Sequence, residues 1–437
     1  MTAQNIAIIG AGATGLAAAW DFARAGHTVT LYEAAANVGG LAAGFKEPNW
    51  EWTLEKFYHH WFESDKDILG LLDEMGLRDQ VIFPRPKTSF WINGKMYRSE
   101  ISPSALFLPL SPLSIIRMGL SGVYLKLTRL WRPLEQVTAD AWMRKYMGDE
   151  AYGKFFRPLL IGKFGEDYNK INMAWLWARI ASRTLRLGTF TGGFQRALDS
   201  MAEKLTGLGV IIRLNSPVEK LRIENGKPVL TVNGADHPYD AVLSTTSPQF
   251  MLKLTEGLAE TAYGQQVAAL KSIGGLCVVL ATNQQLLTDG TYWLNLPATT
   301  ADKQKNEFPF LALVEHTNYM DKVHYGGDHI LYCGDYVPVD HEYFRLSDDE
   351  LVARFLPALK KVNPAFNESW IRKSWVWRAL YAQPMPFLNH SQNIPALQTP
   401  LPQVYWASMS QVYPWDRGTN YSVEMGRRVA NDMMSGQ

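Results

Sequence analysis

Residues 5–33 constrain this chain more than any other stretch. Asn5–Ile9 reads as a short buried strand and runs directly into Gly10-Ala11-Gly12-Ala13-Thr14-Gly15, after which an alanine-rich helix over 16–25 ends at Gly26. His27 to Tyr32 gives a second, β-branched strand that closes on Glu33. Together these make a complete βαβ unit of the kind that binds dinucleotides. Gly10 permits the tight turn, Gly12 lets the backbone approach a pyrophosphate, and Gly15 lets the helix pack close to the strand. The N–H groups of the first helical turn, with their dipole, receive phosphate charge. Glu33, eighteen residues after Gly15, stands where it can accept hydrogen bonds from ribose hydroxyls. An acid there repels a 2′-phosphate, which argues against NADP.

The chain is 437 residues long, more than one simple core needs, so two or three domains are expected. Apolar residues make up 47% and charged residues 19%, enough to fill a large interior. The net charge of +1, with no long basic block, gives no electrostatic case for nucleic acid. Cys277 and Cys333 lie in strand-like apolar runs and read as core thiols of a reducing compartment. No basic segment precedes the first strand, and the longest apolar stretch, 105–116, is interrupted by Pro109 and Pro112, well short of the ~20 residues that span a bilayer. A soluble, cytoplasmic protein is therefore expected. No HxxxH or CxxC spacing points to a metal, and no Gly-x-Ser-x-Gly elbow points to a hydrolase.

Asn37-Val38-Gly39-Gly40-Leu41 follows the acid within a few positions. It resembles the second glycine pair of the flavin amine oxidase, protoporphyrinogen oxidase and phytoene desaturase superfamily, to which UDP-galactopyranose mutases are more distantly similar. There the double glycine passes close to the cofactor phosphates and ribityl chain, so the resemblance implies FAD rather than NAD. Thr191 to Leu198 resembles the family's return into the FAD domain, and Pro217 to Leu221 the segment whose backbone, here at Val218, holds adenine. Tyr239 to Thr246 resembles the strand that ends in small hydroxyl residues, here Thr245, beside the cofactor. Val404 to Ala407, then Tyr413-Pro414-Trp415-Asp416-Arg417-Gly418-Thr419-Asn420-Tyr421 and a closing helix, resemble the family's C-terminal strand, loop and helix start. Cofactor contacts are thereby implied for Gly10 to Gly15, Glu33, Gly39, Gly40, Leu41, Val218, Thr245, Asp416, Arg417, Thr419, Asn420 and Tyr421.

The implied fold class is α/β. A Rossmann-like FAD-binding domain is assembled discontinuously from 1–60, 190–250 and 395–437, and a second α+β substrate domain of mixed sheet and helices from 61–189 and 251–394. Phe90 to Tyr97 carries Asn93-Gly94 between alternating apolar runs, a strong hairpin signal. Strands are also expected over 275–281, 310–315 and 329–336, and helices over 67–75, 114–130 and 136–146.

Chemistry should reside near the flavin, which supplies the reactivity that the protein positions. Glu55-Lys56-Phe57-Tyr58-His59-His60-Trp61 follows the double glycine, where relatives pass under the ring. His59 and His60 point oppositely on an extended chain, so at most one faces it, and a structural role at the domain junction is the competing reading. Val314-Glu315-His316-Thr317-Asn318 ends an apolar strand with an acid, a base, a hydroxyl and an amide, either at a pocket mouth or in a simple turn. Trp375 to Pro384 resembles a segment that approaches the ring in relatives, making Tyr381 and Gln383 candidate contacts. His59, His60, Glu315, His316 and Tyr381 are the catalytic candidates. Many amine oxidases carry a lysine in the first strand of the substrate sheet; here 274–279 has none and Lys271 lies just before it, which argues against simple amine oxidation.

The segment 105–132 carries two prolines and then Arg117, Lys126, Arg129 and Arg132. It reads either as an interfacial helix with a basic border or as a substrate-domain helix lining a long pocket. With fifteen tryptophans in the chain, both readings favour a bulky, lipophilic small molecule. Dehydrogenation of such a substrate is the leading expectation. A redox-neutral mutase or isomerase acting on a sugar-like ligand is the rival, and a catalytically silent FAD-binding structural partner a third reading.

Overall fold

The computed structural model describes residues 2–98 and 108–436; part of the segment 105–132 therefore lies outside the described residues. The first strand, Asn5–Ile9, is buried over four of its five residues and sits at the centre of a five-stranded sheet. The order across that sheet is Ile211–Arg213, Thr28–Tyr32, Asn5–Ile9, Ala241–Ser244, Val404–Trp406, and every neighbouring pair is parallel. A central parallel strand covered on both faces must be apolar throughout, which is why Ile6, Ala7, Ile8 and Ile9 follow one another without alternation.

Helix Ala13–Arg24 follows that strand, and helix Thr419–Ser435 packs against it. The contact depends on a residue without a side chain. A Cβ at Gly426 would stand 2.3 Å from the Thr14 carbonyl oxygen. Gly15 meets the same limit toward the strand, with a Cβ falling 2.0 Å from the Gly10 carbonyl oxygen. Helix Phe194–Gly207, which follows Thr191, packs beside the same layer.

The second sheet has seven strands in the order Ile371–Pro384, Ser272–Thr282, His329–Val337, Ala312–Glu315, Thr291–Asn295, Lys87–Ile92, Lys95–Arg98. Its pairs are antiparallel except Thr291–Asn295 with Lys87–Ile92, the junction that joins two distant stretches of chain. Asn93 and Gly94 both adopt positive φ, 50° and 77°, as a two-residue turn with this twist requires. Asn225-Gly226 and Asn233-Gly234 turn the three-stranded meander of Val218–Glu224, Lys227–Val232 and Ala235–Pro238 with the same chemistry.

The expected helices are present with shifted ends, and two of them start at a capping side chain. Ser111 caps Pro112–Leu127 by accepting from the Ser114 N–H, and Thr138 caps Ala139–Tyr146 by accepting from Ala141. A serine before a proline and a threonine three residues into an apparent helix were the deciding residues. The other expected helix runs over Lys66–Glu74.

The polar end of strand Ala312–Glu315 is an interior device. Glu315 is fully buried, and one carboxylate oxygen accepts the N–H groups of Leu286 and Leu287, each at 3.1 Å. His316 Nε2 lies 2.7 Å from the Tyr325 hydroxyl, and burial lowers its pKa to about 3, so it is neutral. Burial raises Glu315 to about 7, with the two amides only partly offsetting it. A folded pKa above the unfolded value contributes stability that is complete below about 4.5 and lost as pH rises through about 7. Chemical denaturation of wild type and Glu315→Gln should therefore show wild type losing ground relative to the variant between those limits, by up to about 3 kcal/mol. A stability difference independent of pH would contradict the buried, proton-binding carboxyl.

Candidate active site

An open cleft with a cavity volume of about 330 Å³ lies at the carboxyl ends of the parallel strands, where a doubly wound sheet places its ligands. Its floor is the glycine turn after the first strand: Gly10, Gly12, Ala13 and Thr14 line it. Gly10 has φ of 106°, and a Cβ there would lie 2.5 Å from Thr245 Oγ1, whose hydroxyl donates to the Ile9 carbonyl at 2.9 Å. Gly12 differs in kind: a Cβ there would meet nothing within 4 Å. The space above it is left for something other than protein.

The second glycine pair closes onto the first. The Gly39 N–H donates to the Ala11 carbonyl at 2.8 Å, and a Cβ on Gly40 would meet only Gly12 Cα, at 3.5 Å. Gly39 and Gly40 take φ of 125° and 57°, and both line the cleft with Leu41. Glu33 also lines it and is the one carboxylate to do so among the described residues; its two oxygens accept the Ala11 and Ala35 N–H groups, both at 2.9 Å. Ser216, Pro217 and Val218 adjoin it, tied in by the Ser216 N–H to the Glu33 carbonyl at 2.8 Å.

The far end of the chain completes the walls. Arg417, Gly418, Thr419 and Ser422 enter the cleft at the start of helix Thr419–Ser435. That helix and Ala13–Arg24 both begin after a glycine, Gly418 and Gly12, and neither has a side-chain cap. Two sets of unsatisfied N–H groups, each with the positive end of a helix dipole, thus open on one space. Thr419 Oγ1 accepts from Trp61 Nε1 at 2.7 Å. Asn420 points elsewhere, its Oδ1 accepting the Asp67 and Ile68 N–H groups at the start of helix Lys66–Glu74, and Tyr421 stacks on Trp415 at 5.5 Å.

Asp416 lies behind the cleft, with its carboxylate against Trp175 Nε1 at 3.1 Å, Gln383 Nε2 at 3.3 Å and Arg179 Nη1 at 2.5 Å. Burial opposes its charge, but Arg179, Lys163 and Arg417 together hold it well below the usual carboxylate range. Arg417 Nε donates to Gln383 Oε1 at 2.9 Å, and its guanidinium lies 5.2 Å from the Tyr336 ring centre.

Of the catalytic candidates, His59 and Tyr381 line the cleft. His59 Nδ1 contacts the Phe57 carbonyl, and burial lowers the ring's pKa to about 4, so it is neutral. With Nδ1–H donating to that carbonyl, Nε2 is the free acceptor. The Tyr381 hydroxyl is held by the Ser410 hydroxyl at 2.7 Å and the Ser410 N–H at 2.8 Å. His60, Glu315 and His316 do not line the cleft. His60 Nε2 lies 2.7 Å from the Tyr292 hydroxyl, and its neighbours are Tyr292, Trp293 and Tyr319. Ala11 and Gly15 do not line the cleft: the Ala11 N–H is taken by Glu33, and Gly15 packs against the Gly10 carbonyl. Thr246, Ser247, Phe250 and Met409 line the cleft without having been singled out above; spread over the turn after strand Ala241–Ser244, helix Pro248–Leu254 and the helical turn Met409–Gln411, they carry no local pattern that marks them.

The space over Gly12, the bare helix starts and the single acid beside Ser216 suit a dinucleotide whose two phosphates take the N–H groups and whose ribose takes the acid. Comparisons with known proteins agree. Residues 13–434 match the family model described as "Flavin containing amine oxidoreductase". Protoporphyrinogen oxidase of Nicotiana tabacum mitochondria is 26% identical over 221 residues, 47% of this chain and 42% of that enzyme. The chain spans about half or less of the length of the first curated relatives it matches. Among solved structures, a putative protoporphyrinogen oxidase from Exiguobacterium sp. 255-15 has TM-score 0.78 at 18% identity, with each chain fully covered. Reduced UDP-galactopyranose mutase has TM-score 0.77 at 16% identity over 100% of this chain and 95% of that one. At these identities the structural likeness speaks to the fold. The family match, which extends from the first glycine turn to the last helix, decides the assignment: this chain belongs to the flavin containing amine oxidoreductase family, whose cofactor is FAD.

Proposed function

We propose that this chain is an FAD-dependent oxidoreductase that dehydrogenates a bulky, lipophilic small molecule. The observation that carries the reading is the convergence of both bare helix starts with Arg417, His59 and Tyr381 on one cleft. In this reading residues 1–60, 190–250 and 395–437 hold the cofactor, and the seven-stranded sheet with its helices holds the substrate. Gly10 to Thr14, Glu33, Gly39 to Leu41, Val218, Thr245 and Arg417 to Thr419 bind FAD, while Asp416, Asn420 and Tyr421 position the final helix. Bound FAD supplies a two-electron acceptor for hydride. Neutral His59 can accept a proton or hydrogen bond at Nε2, and Tyr381, fixed by Ser410, orients what lies beside it. Aromatic side chains keep water from the neighbouring wall: Tyr58 stands 4.7 Å from Trp293 and 5.8 Å from Tyr332 between ring centres, and its hydroxyl fills the space over Gly334.

A redox-neutral reading of the mutase type draws on the likeness to UDP-galactopyranose mutase and on strand Ser272–Thr282, which contains no lysine. Anaerobic mixing of the yellow enzyme with a library of lipophilic C–H donors separates the two. Bleaching of the flavin by a library member, with colour restored on admitting an acceptor, is the expected outcome. Turnover that requires pre-reduced enzyme and consumes no acceptor would establish the mutase reading instead.

The same proposal includes peripheral contact with a membrane through 105–132. Leu113, Ile116, Leu120, Val123 and Leu127 are 56–75% exposed and recur every three or four residues, which puts them on one face of helix Pro112–Leu127, and exposed Leu130 follows it. Arg129 and Arg132 follow at its end, and no Asp or Glu occurs between Ile101 and Leu134. An apolar face with a basic border suits an anionic lipid surface; no described helix is long and apolar enough to cross a membrane. Vesicles containing phosphatidylglycerol should float the protein, and Leu120→Asp with Leu127→Asp should reduce the bound fraction about tenfold or more. Equal flotation of wild type and variant would remove this part of the proposal.

A further inference from the structure

Behind Arg417 the structure gathers more positive charge than it neutralises. Helix Arg157–Phe164 brings in Lys163, helix Met173–Ser182 brings in Arg179, and Arg183 follows immediately after that helix. Lys163 is 6% exposed, and its ammonium lies over the rings of Tyr336 at 4.8 Å, Trp175 at 5.2 Å and Phe164 at 5.9 Å. Among the described residues it has no hydrogen-bond or ion-pair partner. Arg179 spends one nitrogen on Asp416, and Arg417 is occupied by Gln383 and Tyr336. Arg183 makes no side-chain hydrogen bond or ion pair among the described residues. It is exposed to solvent and stands four residues beyond Arg179. Asp416 is the carboxylate that faces Lys163, against Arg179 and Arg417 on the same side.

A buried, unpaired ammonium beside two guanidinium groups is unfavourable in the free protein. Burial, then the charges of Arg179 and Arg417, push Lys163 well below the usual lysine range, with Asp416 acting in the opposite sense. An arriving oxyanion removes that penalty and finds both a point charge and a planar donor fork. The cationic group also touches the proposed reaction space. Arg417 lines the cleft, and its charge acts on His59, which lines it too.

We infer that the substrate carries an anionic group, a carboxylate or a phosphate, and that Lys163 and Arg183, with Arg179 beside them, receive it. The substrate is then amphipathic, with a lipophilic body on the aromatic wall and an anion behind Arg417. This inference rests on the reading of the cleft as the flavin site.

The test is calorimetric titration of the yellow holoenzyme with four matched probes: phenylacetate, phenyl phosphate, phenylacetamide and phenethylamine. At least one anion should bind about tenfold or more tightly than the neutral amide, and the amine no more tightly than the amide. Preference for phenylacetate identifies a carboxylate substrate, and preference for phenyl phosphate a phosphate. Lys163→Met and Arg183→Gln should each weaken anion binding about tenfold without changing amide binding, and Arg183→Lys should restore part of it. Lys163→Met should in addition raise the melting temperature of the ligand-free enzyme, because it removes a buried amine that has no hydrogen-bond or ion-pair partner among the described residues. Amide or amine binding as tight as the anions, or variants that leave anion binding unchanged, would overturn the inference. Flavin content is measured in the same samples, so that a colourless protein counts against the flavin reading and a missing anion preference counts against this one.

Discussion

The N–H groups that begin helices Ala13–Arg24 and Thr419–Ser435 have no side-chain cap, and much of the chain is arranged so that both open on the same space. Bringing them together needs two close approaches that no side chain would allow. Gly15 permits the first helix to lie against its strand, and Gly426 permits the last helix to lie against the first. The hydrogen bond from Gly39 to Ala11 then folds the double-glycine loop over the turn, where Gly40 faces Gly12. The helix starts themselves are left without a side-chain cap, facing the same cleft.

A second consequence follows from the junction of the two sheets. Arg417 belongs to the loop before the last helix, yet it is held by Gln383 and Tyr336 of the seven-stranded sheet. Asp416, next to it, is held by Arg179 of the helical region. These contacts link the cofactor cleft mechanically and electrostatically to the elements that would hold a substrate. They also bring Lys163, Arg179 and Arg417 around Asp416, which among the described residues is the carboxylate that acts on Lys163, and this is the basis for expecting an anion there.

The dinucleotide turn was legible because its demands are local: three glycines, a strand on each side and an acid are all written within thirty-three residues. The parallel sheet was legible for a similar reason, since unbroken apolar runs have few alternatives. The candidates at 315 and 316 were harder to read, because a strand ending in polar residues looks the same whether those residues meet solvent or buried amides. Glu315 binds the Leu286 and Leu287 N–H groups, nearly thirty residues away, and no local pattern announces that partner. Lys163, Arg179 and Arg183 were invisible for the converse reason. Each is an unremarkable cation on its own helix or loop, and only packing turns them into a cluster.

The central claim is that the cleft holds an intact flavin adenine dinucleotide by its phosphates, with the space over Gly12 kept free for them. Calorimetric titration of flavin-free protein with FAD, FMN and riboflavin, for wild type and Gly12→Val, tests it most directly. The account predicts one FAD per chain, FMN at least about a hundredfold weaker, and loss of FAD binding in the variant without loss of its cooperative melting. Equal affinity for FAD and FMN, or undiminished FAD binding by Gly12→Val, would contradict it.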